Sequence, residues 1–198
     1  MAKSDNTRLF IIETTAPLFN VYGYANTSLA DITAATALSK GSIYGNFTNK
    51  DELAEAAFSY SAKQQNTALK EAIESVKTPL DKLNAIVTFF ASNWAAIKKT
   101  GGCPLLNAAV EADDAAEYLK KTVKDSFTSW INTIASVLDA GVKAKTFSKD
   151  LDTKQTAALF VMIIEGGVLL AKTYNSNKHM QTAIDQLNHI IKSQILKK

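Results

Sequence analysis

The chain has 198 residues, 46% hydrophobic and 21% charged, enough apolar material to fill a core and too much for a disordered segment. Its 22 Lys and Arg against 19 Asp and Glu leave a net charge of +3, which permits an anionic partner without requiring one. The single cysteine, Cys103, excludes an intramolecular disulfide framework and a multi-cysteine metal site; with a polar start and no secretory pattern, a soluble cytoplasmic protein is expected.

The apolar spacing is helical throughout, and an all-α fold follows. A first helix is predicted over Asn6 to Tyr22, with Phe10, Ile11, Thr14, Leu18 and Phe19 inward, Pro17 bending its axis and Gly23 closing it in a left-handed cap. Ser28 with Asp31 forms a capping box for a short second helix whose Ile32 and Ala35 face inward. After the turn Ala37-Leu38-Ser39, Ser39 caps a third short helix running to about Phe47, anchored by Ile43 and Phe47. A fourth helix opens at Lys50, with Asp51 and Glu52 favouring its N-terminal dipole, and continues to about Ser75. Pro79 heads a fifth, burying Leu83, Ile86, Val87, Phe90 and Trp94 up to about Lys99, where Gly101-Gly102 intervenes. Cys103-Pro104 starts a helix through Glu111. A long one is predicted from Ala115 to Lys145 with Tyr118, Phe127, Trp130, Ile134 and Leu138 inward. Asp152 or Thr153 caps an apolar helix to Lys172, whose run Ala157 to Ala171 is too short to span a bilayer and contains Glu165. Lys178 to Lys197 reads as a terminal amphipathic helix carrying Ile184, Leu187, Ile191 and Ile195.

Two short helices joined by a tight turn, the second starting Ser39-Lys40-Gly41-Ser42, present small polar side chains and backbone N–H groups at a helix start. Such an end suits phosphates and base edges in a major groove. The groove-facing residues are then Lys40, Ser42, Tyr44, Gly45 and Asn46, with Ile43 and Phe47 turned back into the domain. The run Thr27 to Leu53 resembles the signature segment of the tetracycline-repressor (TetR) family of bacterial regulators, about a quarter of the chain, and Leu18-Phe19 with Gly23-Tyr24 fits that family's first helix.

The resemblance implies an N-terminal three-helix helix-turn-helix DNA-binding domain over residues 1–52, and a larger helical regulatory, ligand-binding and dimerisation domain over 53–198. It implies phosphate contacts from Thr27 and Ser28, groove contacts from Ser39, Lys40, Gly41 and Ser42, and a backbone-touching aromatic at Tyr44. Asn46 falls at a phosphate- or base-contacting position and Lys50 at that of a phosphate-binding lysine. Two positions depart from the pattern: Ala37 stands where the turn usually has glycine, and Gly45 replaces a larger residue. Charge is also unusual. Residues 1–52 carry Lys3, Arg8, Lys40 and Lys50 against Asp5, Glu13, Asp31, Asp51 and Glu52, a net of −1. Operator binding would therefore rest on a few placed groups, doubled by a dimer, with a modest salt dependence.

In the second half, Phe90, Trp94, Phe127, Trp130, Phe160 and Ile164 line inward faces and either fill the core or surround an apolar ligand cavity. Asn107, Glu111 and Glu165 are polar groups on apolar stretches, each a candidate for the same pocket or for a structural pairing. Cys103 sits at a helix cap, where the dipole lowers a thiol pKa, and the Gly-Cys-Pro stretch resembles a branch of the family that senses electrophiles or oxidants. An inert residue in a turn is the alternative. The nearly all-round apolar helix with Gly166-Gly167 needs cover on more than one side, and the resemblance implies a homodimer through the last two helices. No metal or other cofactor is expected: His179 and His189 lack ligand partners at metal spacing, and neither a Ser/His/Asp set nor a glycine-rich phosphate loop points to an enzyme. The expected partners are double-stranded operator DNA and a small-molecule inducer. The competing reading is a helical protein-interaction module without operator binding.

Overall fold

The computed structural model describes residues 3–197. Among them it has nine α-helices and no extended pairing beyond one isolated antiparallel bridge, Phe147 to Leu196, so the all-α expectation holds. In chain order these are α1 (Lys3–Tyr22), α2 (Leu29–Thr36), α3 (Lys40–Tyr44), α4 (Lys50–Glu74), α5 (Pro79–Lys99), α6 (Pro104–Ala112), α7 (Lys120–Lys143), α8 (Thr153–Thr173) and α9 (Lys178–Ile190). A 3₁₀ turn, Glu117–Leu119, precedes α7, and a wider π-helical turn, Ile191–Ile195, follows α9.

The chain gathers into two compact units: residues up to Gln65 together with Thr100–Ser126, and Asn66–Lys99 together with residues from Phe127 onward. Residues 52 and 53, where the sequence suggested a domain boundary, lie in the first turn of α4. Leu53, Ala54, Ala57 and Phe58 are buried, and the Phe58 ring meets Tyr24 edge-on, so the first half of α4 belongs to the core of the first unit.

In that unit α1 packs on α2 and α6, and α2 on α3. The buried stripe of α1 is Ile11, Thr15, Ala16 and Phe19; Phe10, expected inward, is 46% exposed because it lies about 100° round the helix from Ile11. On α2 it is Thr36, with Ile32, that is buried and Ala35 that is exposed; the Thr36 hydroxyl donates to the Ile32 carbonyl. Gly23 closes α1 at φ +97, as its left-handed cap required, and α1 runs as one helix through Pro17.

In the second unit α8 packs along α9 and on α5, and the expected inward set of α5 is buried in full. Gly167 is where α8 and α9 close up: a Cβ there would lie 2.7 Å from the Ala183 Cβ. Two predicted helices come out shorter. Ala116 leaves helical geometry (φ −138, ψ 52) and its N–H turns back to the Glu111 carbonyl, so α7 starts only at Lys120. After α9 the chain widens at Ile191 and becomes extended at Leu196, where Ser148 N–H donates to Ile195 O and Lys197 N–H to Thr146 O. α8, with 21 residues, is long and apolar enough by those measures to cross a membrane, longer than the run Ala157 to Ala171 suggested. One side of it, including Phe160, Ile164 and Val168, is buried in the unit, as in a core helix of a soluble protein.

Candidate nucleic-acid interface

The α2-turn-α3 segment is built from two caps and a strained corner. The Ser28 side chain accepts the Asp31 N–H, while Asp31 accepts both the Ser28 N–H (2.9 Å) and its hydroxyl (2.6 Å). These bonds to Ser28 pull the Asp31 carboxyl below the usual range. Ala37 closes α2 at φ +55, ψ 22, the left-handed conformation in which its Cβ is crowded. Ser39 then caps α3, its hydroxyl accepting the Ser42 N–H at 3.1 Å.

Ile43 and Phe47 are buried and fix α3 from beneath. Ser39, Lys40, Gly41, Tyr44 and Gly45 are exposed together on the other side, with Tyr44 at 42%, Ser42 half-buried, and only the Ser39 hydroxyl within 4 Å of where a Gly41 Cβ would stand. Asn46 is half-buried, its amide donating back to the Ser42 carbonyl at 2.9 Å. This surface offers one cation, Lys40, with hydroxyls, a phenol and bare backbone.

Three predicted contacts sit differently. Thr27 is fully buried and its hydroxyl donates to Gly23 O at 2.7 Å. The Ser28 hydroxyl is engaged by Asp31 as described. The Lys50 ammonium donates to the carbonyls of Ala25 (2.7 Å), Thr27 (3.1 Å) and Tyr24 (3.4 Å). Arg8, given no role from sequence, also turns inward. Its guanidinium lies 4.0 Å over the Phe47 ring, donates to the Asn46 carbonyl and pairs with Glu52 at 2.7 Å. Bonds from Thr48 and Arg8 hold the Glu52 carboxyl down at about 2. Arg8 and Glu52 are 44 positions apart, so no local spacing could have signalled the pair.

The residues expected around a ligand fall into both units. Glu111 accepts the N–H groups of Tyr24 (3.0 Å) and Ala25 (2.8 Å). Asn107 donates to Asn20 Oδ1 and to the carbonyls of Asn20 and Gly101, while the Asn20 amide donates to the carbonyls of Thr100 and Gly102. Cys103 is 2% exposed at the start of α6, its Sγ 3.8 Å from the Gln65 amide. All three lie in the first unit; Asn107 and Glu111 tie α6 to the end of α1 and the turn after it, and Cys103 faces Gln65 of α4.

The second unit holds the aromatic set. Trp130 lies between Phe90 (centroids 5.3 Å) and Phe127 (6.4 Å), and Phe89 meets Phe90 edge-on. Trp94 donates its indole N–H to Asn177 at 2.8 Å, whereas the equally buried N–H of Trp130 finds no acceptor among the described residues. On α8, Phe160, Ile164 and Glu165 are buried, while Leu159, Met162, Leu169 and Leu170 are exposed beside Gly166, which has nothing within 4 Å of its Cβ position.

Comparison with known proteins covers nearly the whole chain. Residues 11–57 match the family model described as bacterial regulatory proteins, tetR family, and residues 79–187 match that described as tetracyclin repressor-like, C-terminal domain. A TetR-family regulator from Cytophaga hutchinsonii is 36% identical, with a TM-score of 0.94 over 100% of this chain and 99% of that one. A TetR regulator from Chloroflexus aurantiacus is 32% identical, with a TM-score of 0.92 over the full length of both. Among curated relatives, the HTH-type transcriptional regulator YxaF of Bacillus subtilis is 25% identical over 97% of this chain and 98% of its own.

Proposed function

This chain belongs to the TetR family of bacterial transcriptional regulators, and from that premise we propose that it is a cytoplasmic repressor that grips operator DNA as a homodimer and lets go when a small molecule binds its second unit. The observation that carries the DNA reading is the two-sided build of α3. Ile43 and Phe47 lock it to the core, and Ser39, Lys40, Gly41, Tyr44 and Gly45 stand exposed, Ser39 also capping the helix. Ser42 and Asn46 flank them. A recognition helix needs this division between anchors and readers, and bare glycine backbone allows phosphates or base edges to come close.

A dimer spaces its two recognition helices. The outward stripe of α8, Leu159, Met162, Gly166, Leu169 and Leu170, is apolar and open at a position that lets backbones approach, and we assign it, with α9, to the contact with a second copy. With recognition helices held about 34–36 Å apart, the pair fits successive major grooves; a ligand that favours another spacing releases the DNA.

For the inducer, the unmatched Trp130 N–H is informative. An orphaned buried donor destabilises a fold by about 1–3 kcal/mol, and an acceptor oxygen on a planar apolar ligand among Phe90, Phe127 and Trp130 would satisfy it. Reversible binding of this kind fits the geometry better than capture of an electrophile by Cys103, which is enclosed. The chain's own upstream duplex, presented with excess competitor DNA, tests the DNA reading. Tyr44→Ala and Lys40→Ala should each weaken specific binding by about 5- to 100-fold, the range of a groove contact. Unchanged affinity in both variants would leave the protein-interaction reading as the better one.

A further inference from the structure

The turn between α1 and α2 is gripped from both sides by opposite charges. Its carbonyls, those of Tyr24, Ala25 and Thr27, point to the Lys50 ammonium at the head of α4, and its N–H groups at Tyr24 and Ala25 point to the Glu111 carboxylate on α6. We propose that Lys50 and Glu111 are positioning residues for operator binding, which set where α2 begins by clamping the Tyr24–Thr27 turn, and that Lys50 is not itself a phosphate contact. The inference rests on the DNA-binding reading above and deepens it.

The clamp is better built than two incidental ion contacts. Charge-assisted hydrogen bonds are roughly twice as strong as neutral ones, and five of them converge on one short stretch of backbone. The Tyr24 ring anchors the turn by packing, fully buried against Phe19 and Phe58, and the one bond made by the Thr27 side chain stays local, to Gly23; among the described residues the hydrogen bonds that reach the turn's backbone from other helices are those of Lys50 and Glu111. Ser28, the N-cap of α2, follows the turn directly, so any shift of the turn moves the start of the helix-turn-helix. The ammonium of Lys50 has its donors directed at protein oxygens. A phosphate would have to draw it away from three carbonyls, with Asp51 beside it in the chain.

Crowding at Gly23 confirms how close the α6 carboxylate comes. A Cβ there would stand 2.9 Å from Glu111 Oε1, so the carboxylate lies hard against the backbone where α1 ends. The segment Thr100–Ser126 is also the stretch of chain that joins the first unit between two stretches of the second. Glu111 is thus covalently continuous on both sides with the regulatory part.

The test uses the full-length protein and its own upstream duplex, with binding measured from about 50 to 200 mM salt for wild type, Lys50→Met and Glu111→Gln. Amide exchange at Tyr24 and Ala25 is followed in parallel, and circular dichroism confirms folding. The clamp predicts about tenfold weaker operator binding in each variant at every salt concentration, an unchanged slope of log affinity against log salt, and about tenfold faster exchange at the two amides in Glu111→Gln. A slope shallower by roughly 1.8 in Lys50→Met, two phosphates at about 0.9 each in the dimer, would make Lys50 a phosphate contact and overturn the proposal. Faster exchange in Glu111→Gln with undiminished operator binding would overturn it as well. Absence of specific binding by the wild type would instead remove the DNA-binding reading on which it rests. Should Lys50→Met fail to fold, Lys50→Gln takes its place in the salt series, and Glu111→Gln still tests the clamp through affinity and amide exchange.

Discussion

Ala37 shows what one residue can do to a corner. At φ +55 its Cβ is pressed toward the following carbonyl, a strain of roughly 1–2 kcal/mol that glycine avoids. Part of that gain is lost to glycine's larger unfolded-state freedom. Ala37→Gly is therefore expected to raise stability by about 1 kcal/mol, a rise of about 2–4 °C in Tm for a chain of this size, read by thermal denaturation. A fall in Tm would mean that the left-handed corner is not kept in solution. At the same scale two basic residues of the N-terminal segment are engaged internally. Arg8 is used by Glu52 and Asn46, and Lys50 by the turn, which leaves Lys40 as the cation that α3 offers to solvent. With Lys40 as that cation, a modest salt dependence is expected, in keeping with the net charge of −1 over residues 1–52.

Among the elements, α8 carries two different surfaces on one helix. Gly167 looks inward and lets α9 approach, while Gly166, one residue earlier and about 100° round, looks outward into open space. Of the two glycines, Gly167 is the one that makes a close approach within the chain. Substituting Gly167→Ala places a methyl 2.7 Å from the Ala183 Cβ, so α8 and α9 must part. Overpacking of about 1–3 kcal/mol should outweigh the roughly 1 kcal/mol that alanine adds as a better helix former. Urea denaturation showing Gly167→Ala more stable than wild type would contradict this packing.

For the molecule as a whole, the proposed regulation depends on the dimer contact assigned to the exposed stripe of α8, because a monomer has no spacing of recognition helices to control. Met162 is 65% exposed at the middle of that stripe. An arginine there adds no clash within the chain and puts a charge, doubled by the symmetry of a two-fold contact, into an apolar face. Met162→Arg should sediment as a monomer with native helicity and bind the upstream duplex at least about 100-fold more weakly. A dimer of unchanged affinity would place the contact elsewhere.

Helical spacing, capping serines and the punctuation by Gly and Pro were enough to place nearly every helix within a few residues, because these are local choices settled by neighbours three or four positions away. The exposed face of α3 was legible for the same reason: Ile43 and Phe47 recur at helical spacing, are buried, and turn Lys40, Gly41, Tyr44 and Gly45 outward. What the sequence could not show was how distant groups share a charge. By sequence Lys50 resembles a phosphate ligand and Glu111 is a candidate for a pocket or for a structural pairing; the fold brings the first against three carbonyls and the second against two amides of one turn. The break after α9 was hidden likewise, since Leu196 meets Phe147 across a long stretch of chain. Local propensity is written in the order of residues, whereas electrostatic partnership depends on which backbone polar groups the packing leaves to be satisfied, and only the tertiary structure decides that.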